Sequence, residues 1–351
     1  MINKFTREHT LANKGVALIL LLWHHLFGTT AAFGENIKYS AGLAKVCVAI
    51  FLILSGYGLN ESTQKSVPLL KFYFKRLINI YYKYWIIWIL FVPVGVLCFN
   101  RSFIAVYGDP FYFKLFINFM GLQKLMAFNG YNPTWWFITL IIGLYVIFPF
   151  LKILTMRYRS FFLGGIFILT LLCRHSSRFE IPLIMPWIFP FTVGIFLSQI
   201  DGFVIVSKNR FLRGIKILIY PLLLAVLIFL RKYGVFVTGT DMDGILGTVI
   251  ILTVSELIEM SSILSKILQF TGKHSFNIFL FHTFIYLYYF KNFIYISKNP
   301  LIILITLLLI CLFISIIMEF ILKKIKLNDL LRSFIEIAEK SALAKSVNMK
   351  V

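Results

Sequence analysis

Two side chains that could manage a proton and a negative charge stand eleven positions apart in the first apolar stretch. It reads Lys14-Gly15-Val16-Ala17-Leu18-Ile19-Leu20-Leu21-Leu22-Trp23-His24-His25. On an α-helix eleven residues rise roughly 16 Å and complete three turns to within about 20°. Lys14 and His25 therefore share one face, with Lys14 expected at the cytoplasmic mouth and His25 near mid-membrane. A neutral imidazole can take the proton of an attacking hydroxyl. His24 is rotated by about 100° from its neighbour and is expected to face elsewhere. The plainer alternative for both histidines is a hydrogen bond to a neighbouring helix.

A second apolar stretch closes with Phe51-Leu52-Ile53-Leu54-Ser55-Gly56-Tyr57-Gly58-Leu59-Asn60-Glu61. Its glycines would let a helix or a ligand approach the backbone, and helix packing explains them equally well. A basic, aromatic loop then runs from Lys71 through Phe72, Tyr73, Lys75, Arg76, Asn79, Tyr82, Lys83 and Trp85. Such a run suits the phosphates of a nucleotide-bearing donor such as acyl-CoA. Anionic lipid head groups would be served as well.

Two later clusters carry polar groups into apolar surroundings. Asn132-Pro133-Thr134-Trp135-Trp136-Phe137 opens a helix, where Trp136 is either a membrane-interface residue or a platform for a sugar ring. Gly272-Lys273-His274-Ser275 precedes a stretch that carries His282 inside it. Glu256 and Glu319 lie near helix ends, where they could snorkel to the surface. Cys47, Cys98, Cys173 and Cys311 form no CxxC pair and read as small apolar residues, so neither a metal site nor a disulfide is expected.

The elements that must position these groups are transmembrane helices. Of 351 residues 60% are hydrophobic and only 14% charged, too apolar for one soluble core. The net charge of +21 comes from short clusters between apolar stretches, as in membrane-protein loops, and no nucleic-acid-binding motif accompanies it. Ten spans are predicted, at about 14–31, 41–60, 80–99, 134–152, 160–173, 183–199, 214–230, 244–258, 276–296 and 301–321. The first is read as a retained helix rather than a cleaved signal, because Trp23-His24-His25 makes a poor signal core. Region 103–128 is interrupted by Asp109-Pro110, Lys114, Asn118, Gln123 and Lys124, and is expected to be interfacial or re-entrant. With the N-terminus inside, 24 Lys and Arg residues fall on the cytoplasmic side against 11 outside. That bias puts both termini in the cytoplasm and requires an even number of spans. The expected fold is all-α and polytopic, a single membrane domain over 1–351 with its core at about 10–325 and a short polar tail from about Leu327.

In this order the segments resemble acyltransferase family 3, the integral-membrane O-acyltransferases that modify cell-surface glycans and related acceptors. The likeness rests on the Lys-x10-His first helix, Phe-x-x-x-Ser-Gly-Tyr closing the second, the basic entrance to the third and Trp-Phe opening the fourth. Gly-Lys-His-Ser and His282 complete the series. The resemblance implies transfer of an acyl group, commonly acetyl, from cytoplasmic acyl-CoA to a glycan hydroxyl. His25 takes the position of the family's essential histidine and Lys14 that of its basic partner. The donor would be held by Arg76, Lys75 and Asn79. The family's Arg-x-x-Arg reads here Arg76-x-x-Asn79, and Tyr82 stands where a proline is common, so Lys75 and Lys83 are expected to supply the missing charge. Ser55, Tyr57, Trp136 and His282 would line the pocket or meet the acceptor.

On this reading the enzyme needs no cofactor beyond its acyl-CoA co-substrate. Its partners are a glycan or lipid-linked glycan acceptor and membrane lipid, and a homo-oligomer is compatible with everything above. Its location is the cell membrane. Some family members carry an extracellular hydrolase-like domain, and the sequence reaches Val351 without one, so transfer is expected to finish in the membrane or on a separate protein. The competing expectation is a transporter or flippase of a lipid-linked glycan. It accounts for the spans and the buried polar groups, and leaves the Lys14–His25 face beside a basic entrance unexplained.

Overall fold

The computed structural model describes residues 5–64, 68–175, 183–203, 213–233 and 240–326, and the polar tail expected from Leu327 lies outside them. Among the described residues every regular element is helical. Helix α1 spans Arg7–Phe27. Thr6 caps it and shares a reciprocal capping box with His9, which satisfies two of its orphan backbone donors. Helix α2 (Glu35–Leu43) passes through a 3-10 turn, Ala44–Val46, into α3 (Cys47–Ser62). Together they make the second expected span.

Helix α4, Leu69–Cys98, starts eleven residues before the predicted 80, so the basic aromatic run is helical and not a loop. The reason is a buried apolar face: Phe72, Ile80, Tyr84 and Ile87 recur at helical spacing and are all buried. Next come two short helices, α5 (Phe103–Tyr107) and α6 (Tyr112–Phe119), and a 3-10 turn, Gln123–Met126. The Asn118 side chain ties this region together, its Oδ1 accepting from Tyr107 Oη at 2.5 Å and from the Tyr131 backbone N–H at 2.9 Å.

Helix α7 runs Trp136–His175 and breaks at Arg159, whose φ of 47° and ψ of −125° leave helical space. The break falls between the two spans expected at 134–152 and 160–173. Then follow α8 (Met185–Gln199), α9 (Arg213–Tyr233), α10 (Thr240–Met260) and α11 (Ser262–Thr283). A π-helical turn, Phe284–Tyr289, continues α11 before α12 (Lys291–Ile294) and α13 (Pro300–Lys324). The predicted ninth span, 276–296, is displaced. Ser261 caps α11 by accepting from the Leu264 N–H at 3.3 Å, so Gly272-Lys273-His274-Ser275 lies mid-helix.

Among the described residues five helical stretches are, by length and composition, apolar enough to cross a bilayer: Arg7–Phe27, Glu35–Ser62, Lys71–Cys98, Pro133–Cys173 and Pro300–Lys324. Large apolar side chains face outward, among them Phe161 at 91% and Leu97 at 81% exposure, as a lipid-facing surface requires. Cross-links between helices establish their relative directions. His9 pairs with Glu259 and Asn13 bonds Ser255, so α1 and α10 are antiparallel. Lys216 with Glu256 and Arg231 with Asp243 make α9 and α10 antiparallel too. Glu256 is therefore held in a buried ion pair, not snorkelling. The paired charges stay buried because each has an opposite charge at hand.

Candidate active site

Helix α1 meets α11 at backbone distance. A Cβ on Gly15 would collide with the Leu268 carbonyl oxygen, and one on Gly272 with that of Leu11. Small residues at such a crossing let two helices close on each other in an apolar solvent. Ten residues beyond each glycine stand His25 and His282, and their rings pack with centroids 5.0 Å apart. The two helices thus run parallel from the glycine contact to the histidine contact, a rise of about 15 Å on each.

Beside this seam lies a cavity of about 620 Å³. Its walls come from α1 (Lys14, Leu21, His24, His25), the turn before α3 (Lys45), and α3 itself (Cys47, Val48, Phe51, Ser55). Helix α4 adds Arg76, Asn79, Ile80, Tyr82 and Lys83, α7 adds Trp136, Phe137, Ile141 and Tyr145, and α11 adds Ser275, Phe276 and Phe279. Four of these residues are cationic, Lys14, Lys45, Arg76 and Lys83, and none is a carboxylate. Low dielectric strengthens their combined pull on an anion. Arg76 donates from Nη2 to Ser62 Oγ, leaving further guanidinium N–H groups for a ligand. Lys14 is half-buried and makes no ion pair among the described residues.

His25 is half-buried, lies on the cavity wall and has no hydrogen-bond partner among the described residues. His24 does not face elsewhere, as expected from its rotation, but lines the same cavity, which embraces more than a quarter of the circumference of α1. What distinguishes it is that Nδ1 donates to the Ala41 carbonyl oxygen at 2.7 Å. His24 is tied to α2, while His25 is open to a ligand.

The remaining candidates divide. Ser55, Arg76, Asn79 and Trp136 join Lys14 and His25 on the walls. The Trp136 ring lies 5.9 Å from that of Trp187. Tyr57 does not line the cavity and packs instead against the rings of Phe5 and Phe203, at 5.1 and 5.2 Å. Lys75 is exposed on α4 and is likewise outside it. His282 is completely buried behind His25 rather than on the wall. Glu319, read from the sequence as a snorkelling residue, accepts from Asn277 at 3.3 Å and pairs with Lys273 at 3.6 Å.

Sequence reasoning missed Lys45, Tyr145 and Ser275 as wall residues. The only local signal for Lys45 is its position just ahead of the apolar α3. Tyr145 and Ser275 lie on the same helix faces as Trp136–Ile141 and Phe276–Phe279, a relation visible once the helix limits are known.

No curated protein and no solved structure matches this chain. A family model described as an acyltransferase domain matches residues 13–320, which takes in every wall of the cavity and both histidine-bearing helices. With that match over most of its length, the chain belongs to acyltransferase family 3, a family of membrane acyltransferases.

Proposed function

We propose that the protein is a membrane O-acyltransferase of the cell membrane that moves an acyl group, most simply acetyl, from cytoplasmic acyl-CoA to a hydroxyl of a cell-surface glycan or its lipid-linked precursor. Ten spans with both termini in the cytoplasm belong to this reading. The observation that carries it is the convergence of Lys14, Lys45, Arg76 and Lys83 on a cavity whose wall also presents His25, with no carboxylate on that wall and no hydrogen-bond partner for His25 among the described residues. Phosphates are the natural complement of such a set, and the arginine fork suits them better than an ammonium does.

In this mechanism Arg76 and Lys83 on α4, with Lys14, hold the anionic donor, and Asn79 adds an uncharged donor or acceptor beside them. His25 accepts the proton of the acceptor hydroxyl as its oxygen attacks the thioester carbonyl. The C–O bond forms, the C–S bond breaks with its electron pair leaving on sulfur, and the departing thiolate takes the proton back from His25. Trp136 offers an apolar face on which a sugar ring can stack.

The test is turnover of acetyl-CoA by purified protein in lipid nanodiscs, read as free thiol. His25→Ala should lose about 10²–10⁴-fold in rate while still inserting. His24→Ala should keep its rate to within about tenfold and lose stability instead, by about 1 kcal/mol for its bond to Ala41. Unimpaired turnover by His25→Ala would sink the mechanism, and a protein that binds no acyl-CoA would favour a transporter.

A further inference from the structure

The side chain behind His25 is the one that the mechanism above leaves without a task. His282 is 0% exposed, in the interior of a membrane protein, where a polar ring is kept only at a cost. Its Nδ1 lies 3.0 Å from the carbonyl oxygens of both Ile278 and Phe279 on its own helix. Nδ1 can only donate there, so the hydrogen sits on Nδ1 and Nε2 carries the lone pair. The ring also lies nearly parallel to that of Tyr286, with centroids 6.0 Å apart.

The next residue anchors the same stretch of α11. Thr283 donates to Thr134 Oγ1 at 3.4 Å, and Thr134 donates to Asn132 Oδ1 at 2.8 Å. Asn132 in turn donates to the Leu280 carbonyl oxygen at 3.2 Å. This closed string of buried polar groups ties the α7 entrance to the turn of α11 that bears His282. Thr283 Oγ1 also lies 3.4 Å from His282 Nε2, as far as from Thr134 Oγ1, so its one hydrogen is shared between the two and no closer donor among the described residues holds the Nε2 lone pair.

When a histidine acts as base in acyl transfer, the imidazolium it becomes is normally oriented and stabilised by a carboxylate. Among the described residues no carboxylate lines this cavity, and two rings pack on His25, those of its neighbour His24 and of His282. We propose that His282 is the positioning residue of His25, a buried imidazole standing where a triad would have its carboxylate. It fixes the ring of His25 and presents a lone pair to the imidazolium formed when the acceptor proton arrives. The proton stays on His25 until the thiolate reclaims it, and His282 exchanges none. This inference rests on the acyl-transfer reading.

The experiment is a double-mutant cycle on acetyl-CoA turnover in nanodiscs, comparing the wild type, His25→Ala, His282→Phe and the pair. Phenylalanine keeps the ring packing and removes both nitrogens. His282→Phe should lower kcat by about 10–100-fold, the usual cost of losing a group that orients a reacting one, with KM for acetyl-CoA unchanged. The double variant should be no slower than His25→Ala alone, because a residue that acts through His25 has nothing to act on once His25 is gone. His282→Gln, which retains a side-chain donor and a lone pair, should keep more activity than the phenylalanine variant. It replaces that variant in the cycle if phenylalanine prevents insertion. Losses that multiply in the double variant, or a raised KM with kcat intact, would assign His282 to packing alone and overturn the proposal. A wild type that leaves acetyl-CoA untouched would fell the acyl-transfer reading first and this inference with it, an outcome visible before any His282 variant is compared.

Discussion

Arg76, Asn79 and Lys83 stand at positions i, i+3 and i+7 of α4, a spacing that puts all three on one face toward the cavity. Lys75, one residue away from Arg76, is exposed and outside it. The four side chains therefore differ sharply in what they should do to donor binding. A guanidinium–phosphate contact is a hydrogen bond between charged groups, worth about 1.5–3 kcal/mol, so Arg76→Ala should raise KM for acetyl-CoA by about tenfold or more. Arg76→Lys should recover only part of that, since an ammonium cannot form the bidentate fork. Lys75→Ala should leave KM as it is. Steady-state kinetics over a range of acetyl-CoA concentrations decides. An unchanged KM in Arg76→Ala would make the α4 charges a lipid-binding surface instead.

At the scale of elements, the site depends on how closely helices approach one another. Gly15 and Gly272 bring the α1 and α11 backbones together, and Gly56 does the same for α3 against the Phe191 carbonyl oxygen of α8. Gly58, which the sequence pairs with Gly56 in one motif, has open space where its side chain would be. Substituting alanine should separate the two classes. Gly272→Ala should destabilise the protein by about 1–3 kcal/mol through backbone collision, and reduce turnover as His25 and His282 lose register. Gly58→Ala should stay within about 0.5 kcal/mol of the parent. Thermal unfolding in detergent, followed by a buried-cysteine dye, measures both, and equal losses at the two positions would show that close packing is not what Gly272 provides. The seam itself could not be read from spacing, because Gly15 and Gly272 lie more than 250 residues apart in the chain.

For the whole molecule, the pairings assign directions that a labelling experiment can check. Asn60 donates to Ser198 at 2.8 Å and Lys152 donates to the Thr63 carbonyl oxygen at 2.7 Å, gathering the C-terminal ends of α3 and α8 and the middle of α7 at one side. His9 with Glu259 and Lys216 with Glu256 join that side, which also carries the basic start of α4. The proposed orientation puts this side in the cytoplasm. In a background with Cys98 and Cys173 replaced, since Cys47 and Cys311 are buried, a membrane-impermeant maleimide should label Asn129→Cys in intact cells. Lys71→Cys, also at an exposed position, should react only after the membrane is opened. Labelling of Lys71→Cys from outside would invert the molecule and place the cationic cavity on the wrong side for a cytoplasmic donor.

Local chemistry was readable from order alone. Hydrophobic stretches announce membrane helices, and eleven positions on one helix put Lys14 and His25 on a common face whatever surrounds them. The basic aromatic character of residues 71–85 was equally plain, though its helical state was not, because charges dilute the apolar signal that marks a span. Fold class and family needed no more than this. The limits of α4 and α11 required their packing partners, since Phe72, Ile80 and Leu268 count as core only when a neighbouring helix covers them. Likewise Tyr57 and Ser55, two residues apart in one motif, go to different surroundings: Ser55 to the cavity, Tyr57 to the rings of Phe5 and Phe203. That His282 stands behind His25, and that Lys45 joins Arg76 and Lys83 around one space, followed from the register between helices. Register is set by contacts between residues far apart in the chain, and periodicity within one helix carries no information about it.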